Sequence, residues 1–289
     1  MELKHIKGNT YYIDNPTNIG VYKISEDKVY IIDSGNDKEA GKKIIKLLES
    51  EGLQIEGIIS THSNADHIGG NKLIQDRMGA KIFAKGIEAS FSNYPVLESS
   101  FLYGGYPFKD LRHKFLMAQA SKVEDIENLH LEGIEYFDIK GHFFDMIGLK
   151  TEDDTYFIGD SLFSEETISK YHIFFIYDVK EFLNTLDYLS TLHGFFVPSH
   201  APATNDISKL IDINRKSVLD TIDFIYEACD ASSFETILKK VFDNYGLMMS
   251  AEQYVLIGST VKSYLSYLYD EDRITYEFKD NTMIWRKRI

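Results

Sequence analysis

The chain has 289 residues, 44% of them hydrophobic, enough for a full core in one large α/β domain with an appendage or in two domains. A formal net charge of −14 repels phosphate backbones and anionic membrane surfaces, so nucleic-acid binding would need a local basic patch. The single cysteine, Cys229, excludes an internal disulfide and cysteine-rich zinc modules, and "IYEACDASS" reads as a packed helical thiol.

"MELKHIKGNTYYI" carries charge from its second residue and lacks the continuous apolar stretch of a signal peptide. No apolar run approaches the roughly 20 residues that span a bilayer, so a soluble cytoplasmic protein without a membrane partner is expected. "TYYIDN", "IGVYKIS" and "KVYIIDSG" read as successive strands of a meander, bounded by Asn, Pro, Gly and Asp. "KEAGKKIIKLLESEG" has helical spacing closed by Gly, "IEGIIS" is a short buried-type strand, "GGNKLIQDRMG" a helix and "AKIFA" a strand.

Residues 86–130 break this regularity with an aromatic stretch interrupted by Pro and Gly, read as an insertion of short helices and loops. Strands resume at "GIEYFDIKGH", "GLKTED", "TYFIGDS" and "GFFVPSH", with the helix "VKEFLNTLDYLSTLHG" before the last. "DISKLIDINRKSVLDTIDFIYEAC" is helical, and the tail holds two amphipathic helices and a hairpin turning at Asp280–Asn281. The second tail helix opens on a Ser-x-x-Gln cap at Ser250.

Asp33 ends "KVYIID", the cluster "THSNADHIGG" follows "IEGIIS", and His142, Asp160 and His200 each follow a further strand. Loops at one edge of a sheet converge in space, which is where sites are built. Imidazoles and carboxylates suit zinc and other first-row metals, and adjacent Asp66 and His67 can address two ions a few ångströms apart.

This order of motifs, an early Asp, then "THSNADHIGG", "KGHFFDMIG", "FIGDSLF" and "VPSHAP", resembles the metallo-β-lactamase superfamily over residues 1–212. The last two look most like its glyoxalase II-like and thioesterase-like branch. The resemblance implies an αββα sandwich with the metals at one edge. It also implies that His62, position 64 and His142 hold a first metal, that Asp66, His67 and His200 hold a second, and that Asp160 bridges. Asp33 would support these ligands without being one. Zn²⁺ is the implied ion, in one or two copies, with Mn²⁺ or Fe²⁺ as alternatives.

Asn64 departs from the family, which usually has a His there, and an amide oxygen is a weaker ligand than an imidazole. The second position is therefore expected to fill first. The insertion is a candidate substrate lid, with Tyr103 and Tyr106 as apolar wall and Lys109 and Arg112 offering charge. A dimer contact is the alternative use of that segment, since exposed aromatics favour self-association. His172 reads as packed beside aromatics, and His5, His113, His130 and His193 as surface or structural residues.

Residues 213–289 resemble the winged-helix appendage of some superfamily members. Its basic end, Arg286 to Arg288, is countered by many acids, which argues against nucleic acid as a partner. The expected activity is hydrolysis of a small ester, thioester or lactone by metal-activated water, with Asp66 or Asp160 orienting that water or moving its proton. The alternatives are a phosphodiesterase or nuclease on the same centre, or a catalytically weakened binding module that uses the tail.

Overall fold

The computed structural model describes residues 1–288. Strands β1 (Glu2–Lys7), β2 (Thr10–Asp14), β3 (Ile19–Lys23) and β4 (Lys28–Ile32) form an antiparallel meander. Parallel strands β5 (Gln54–Ile59), β6 (Lys81–Ala84) and β7 (Val123–Asp125) extend it to a seven-stranded sheet in chain order. Strands β8 (Ile134–Asp138), β9 (Ile147–Thr151), β10 (Thr155–Phe157) and β11 (Phe195–Val197) make a second sheet, ordered β11-β10-β9-β8.

The two sheets face each other through Tyr30, Ile32, Ile59 and Phe83 on one side and Ile147, Leu149, Phe157 and Val197 on the other. Helices α1 (Lys38–Ser50) and α3 (Asn71–Met78) cover the outside of the first sheet, with Ile44, Leu48 and Ile74 packed on Val29, Ile31 and Ile58. Asp37 caps α1 by accepting from the amides of Glu39 and Ala40, which satisfies two otherwise orphaned donors. Helices α7 (Val179–Leu189) and α8 (Ser208–Ala228) cover the second sheet, where Phe182, Leu186 and Val218 join its outward face. The result is the αββα sandwich that the motif order implied. Each of these fully buried aliphatic side chains contributes about 1.5–3 kcal/mol.

Between β5 and α3 lies a one-turn helix, α2 (Ala65–Ile68), and then Gly69 and Gly70. A Cβ on Gly69 would sit 2.3 Å from the Asn36 carbonyl carbon, and one on Gly70 would sit 2.4 Å from the Ser34 oxygen. Both contacts are with backbone that cannot step aside, so the "GG" lets this loop dock against the turn after β4. Gly69→Ala should destabilise the fold by roughly 2 kcal/mol or more, as overpacking against a fixed backbone does. Denaturant unfolding measures this, and a loss within about 0.5 kcal/mol would mean that the approach is not tight.

The insertion holds α4 (Ile87–Asn93) and α5 (Val96–Tyr103), then irregular chain up to β7. After β10 comes the short helix α6 (Glu165–Tyr171), which the sequence pattern did not suggest, as it did not suggest β1 and β7. In the tail, helix α8 runs across the boundary expected at 212, and it is followed by β12 (Ser232–Ser233), α9 (Phe234–Tyr245), α10 (Ala251–Asp270), β13 (Ile274–Lys279) and β14 (Thr282–Lys287). Ser250 accepts from the Gln253 amide at the start of α10, as its motif suggested. Asp280 and Asn281 both take positive φ, which closes the hairpin in two residues. The tail core of Ile237, Leu238, Val241, Val261 and Leu265 is continuous with Phe182 and Phe196 of the sandwich.

Candidate metal centre

Every expected ligand, and Asp33 that would support them, lies just past the C-terminal end of a strand on the same edge: Asp33 after β4, the His62–His67 loop after β5, His142 after β8, Asp160 after β10 and His200 after β11. Two groups of ligand atoms result, His62 with His142 and Asp160, and Asp66 with His67 and His200, each group lying within 4.8 Å. Asp160 joins them. Its Oδ1 is 3.2 Å from His67 Nε2, and its Oδ2 is 3.3 Å from His200 Nε2 and 3.6 Å from His142 Nε2. Asp66 Oδ2 lies 3.3 Å from His200 Nε2, and its side chain is half-exposed to the space above.

Hydrogen bonds behind the imidazoles set which nitrogen faces inward. Asp33, in a left-handed conformation with φ of 64°, accepts from the Thr61 amide at 2.8 Å, the Thr61 hydroxyl at 2.8 Å and His67 Nδ1 at 2.9 Å. The Thr61 hydroxyl, having donated its proton to Asp33, accepts from His62 Nδ1 at 3.0 Å. His200 Nδ1 donates to the Pro16 carbonyl at 3.2 Å. His62, His67 and His200 are thereby held with Nε2 toward a common point.

Three of these inward atoms, His62 Nε2, His67 Nε2 and Asp160 Oδ1, are buried without a hydrogen-bond partner. Convergent buried atoms left unpaired are what a cation would satisfy, so the donor set fits one or two first-row metal ions. The charges agree with that reading. Burial, reinforced by His67, pushes His62 well below the usual imidazole range and keeps it neutral. Burial works against protonation of His67 and His200 as well, but the surrounding Asp160 and Asp66 win. His67 rises well above its usual value and His200 to about 10, so that protons occupy the place of the metal's charge.

Asn64 stands at the N-cap of α2 yet makes no capping bond with its side chain. Instead its Nδ2 donates to Glu98 Oε1 at 2.8 Å and its Oδ1 lies 3.1 Å from His142 Nε2. Glu98, on α5, is 5% exposed, and burial drives its pKa well above the usual carboxylate value. A second buried acid of the insertion, Glu88 on α4, accepts from the Ser63 amide and hydroxyl and from the Asp145 amide. Neither acid was signalled by the sequence, because nothing in an irregular aromatic segment marks one glutamate from another.

Burial raises Glu88 from 4.5 to about 7 against the pull of its donors. Between those values the folded chain keeps a proton that the unfolded chain has released, so this group's contribution to stability falls as pH rises and is lowest above pH 7. Glu88→Gln should flatten that decline, which is on the order of 3 kcal/mol at most. Urea unfolding across pH 4–8 measures it, and an unchanged slope in the variant would exclude Glu88 as its source.

A cavity of about 660 Å³ opens above the two clusters. Phe115 and Leu116 of the insertion, Phe174 and Phe175 after α6, and Leu256 and Ile257 of α10 line it beside Asn64, Asp66, Asp160 and His200. Tyr103, Tyr106, Lys109 and Arg112 do not line it; Arg112 instead donates to the Tyr106 hydroxyl at 2.8 Å on the exposed face. The α10 wall was missed, since helical periodicity shows that a face is buried but not what it is buried against. His172 stacks on Tyr245, as its aromatic setting suggested.

The family model of the metallo-beta-lactamase superfamily matches residues 12–218, well over half of the chain. The chain belongs to the metallo-beta-lactamase superfamily. Among curated superfamily relatives, hydroxyacylglutathione hydrolase of Prochlorococcus marinus (strain MIT 9301) is 28% identical over 132 residues, 44% of each chain. The match thus spans less than half the length of that relative. A similarly named protein of Pelagibacter ubique is 37% identical over 46 residues, covering 16% of this chain and 19% of its own. A beta-lactamase domain protein from Burkholderia ambifaria shares the fold with a TM-score of 0.71 at 15% identity, covering 99% of this chain and 94% of its own. The likeness of fold to that structure therefore extends, tail included, over nearly the whole chain. No helix among the described residues is long and apolar enough to cross a membrane.

Proposed function

We propose that this superfamily member is a metal-dependent hydrolase of small esters, thioesters or lactones. The observation that carries the reading is the pair of ligand clusters sharing Asp160 beneath a cavity with aromatic and aliphatic walls on part of its lining. His62, His142 and Asp160, with the Asn64 oxygen, would hold one ion, and Asp66, His67, His200 and Asp160 the other. When bound, Zn²⁺, Mn²⁺ or Fe²⁺ supplies Lewis acidity and lowers the pKa of water. Asp66, half-exposed at the cavity floor, is placed to accept a proton from attacking water, and Asp160 fixes the imidazoles on both sides. The apolar walls exclude bulk water and accept an acyl or alkyl group.

The matched hydroxyacylglutathione hydrolases support the thioester member of this class by name. A phosphodiester substrate is disfavoured. Lys170 is the only lysine or arginine lining the cavity among the described residues, against Glu98, Glu166 and Glu252. The tail order of helix, strand, two helices and hairpin supports a winged-helix-like unit from about residue 213. Its basic end is tied up, with Arg286 on Glu277 at 2.6 Å, Lys287 on Glu227 at 2.5 Å and Arg288 on Asp272 at 2.5 Å, and its α10 serves as a cavity wall. That use favours a structural role over nucleic-acid binding. Exposed Tyr106 and Phe108 support self-association as a homodimer, which light scattering reads.

A screen of thioester, ester, lactone and phosphodiester substrates with each metal added tests the reading. Turnover of a carbonyl substrate that Phe175→Ala alters mainly in KM is expected. Turnover of phosphodiesters alone, or none with any metal, would overturn it.

A further inference from the structure

We infer that Glu98 is a positioning residue that turns the Asn64 amide so that its oxygen, not its nitrogen, faces the first metal position. This rests on the metal-centre reading above and adds a residue to it. An amide has one face that accepts and one that donates, and only the oxygen can bind a cation. Asn64 leaves its N-cap duty unfilled, with no side-chain bond to the amides of α2. Its Nδ2 is taken by the Glu98 carboxylate at 2.8 Å, which leaves Oδ1 beside His142 Nε2 at 3.1 Å.

The carboxylate that does this is buried and comes from α5, outside the ligand loops. A buried acid without a paired cation is costly, so its presence at this one contact calls for a role. The insertion thus grips the ligand loop from behind at two successive residues, Glu88 on Ser63 and Glu98 on Asn64. The weak ligand at position 64 works as an Asn64–Glu98 unit.

The test is calorimetric titration of the metal-free full chain with Zn²⁺ and Mn²⁺, with bound metal counted by elemental analysis. Glu98→Leu replaces a buried acid by an apolar group of similar size. It should weaken the first position about 10- to 100-fold, the range for loss of a group supporting a ligand, and leave the second unchanged. Glu98→Gln keeps an acceptor and should recover most of the affinity. In an Asn64→Ala background Glu98→Leu should have no further effect, because no amide remains to be turned. Unchanged binding by Glu98→Leu, or an equal loss in the Asn64→Ala background, would overturn the inference. Should Glu98→Leu fail to fold, Glu98→Ala must show the same selective loss. A wild-type chain that binds no metal would instead defeat the metal-centre reading itself.

Discussion

Asp160→Ala should strip both metal positions and reduce turnover by roughly three orders of magnitude or more. The carboxylate stands between the clusters, 3.2 Å from His67 Nε2 and 3.3 Å from His200 Nε2, so no other side chain can take its place. In the metal-free protein the same change removes the largest of the charges that hold His67 and His200 protonated, and both imidazoles should move down toward the usual range. Elemental analysis, steady-state rates and histidine NMR titration read the three effects. Retention of two ions by a folded Asp160→Ala chain would show that Asp160 is not the shared ligand.

Asp33→Ala should be the most destabilising single substitution at the centre, at about 3–5 kcal/mol. Three donors converge on this carboxylate, the Thr61 amide, the Thr61 hydroxyl and His67 Nδ1, and all are buried. Leaving buried donors unpaired costs about 1–3 kcal/mol each, and Ala at a φ of 64° adds about 1 kcal/mol of backbone strain. Asp33→Asn tolerates that backbone and keeps one acceptor, so it should cost less while still loosening His67. Urea unfolding of the two variants measures the difference, and a loss below about 1 kcal/mol for Asp33→Ala would contradict the geometry.

The sandwich was legible because its strands are dense in Ile, Val, Tyr and Phe and its turns in Gly and Asp, as at "KVYIIDSG" and "TYFIGDS". Likewise, the spacing of Asp33, His62, His67, His142, Asp160 and His200 after successive strands points to one edge of the sandwich. Strand β1, "ELKHIK", escaped notice because it is an edge strand with no buried residue and polar residues on both faces. Strand β7 is three residues long, too short for any period to register.

The cavity walls were less legible still. Tyr103 and Tyr106 look like pocket aromatics by type, but the helix α5 that leads to them turns Glu98 and Leu102 toward the site and leaves both tyrosines exposed. Asn64 reads from sequence as a poor ligand, and nothing in the sequence marks Glu98, 34 residues away, as the group that takes its amide nitrogen.

The measurement that bears most directly on the central claim is metal content of the purified chain after exhaustive dialysis, followed by readdition of Zn²⁺ or Mn²⁺. The four-ligand position of Asp66, His67, His200 and Asp160 should keep about one ion per chain through dialysis. The Asn64 position should fill only with added metal. Two zinc ions held equally tightly, or a folded chain that keeps none and takes none up, would contradict the account.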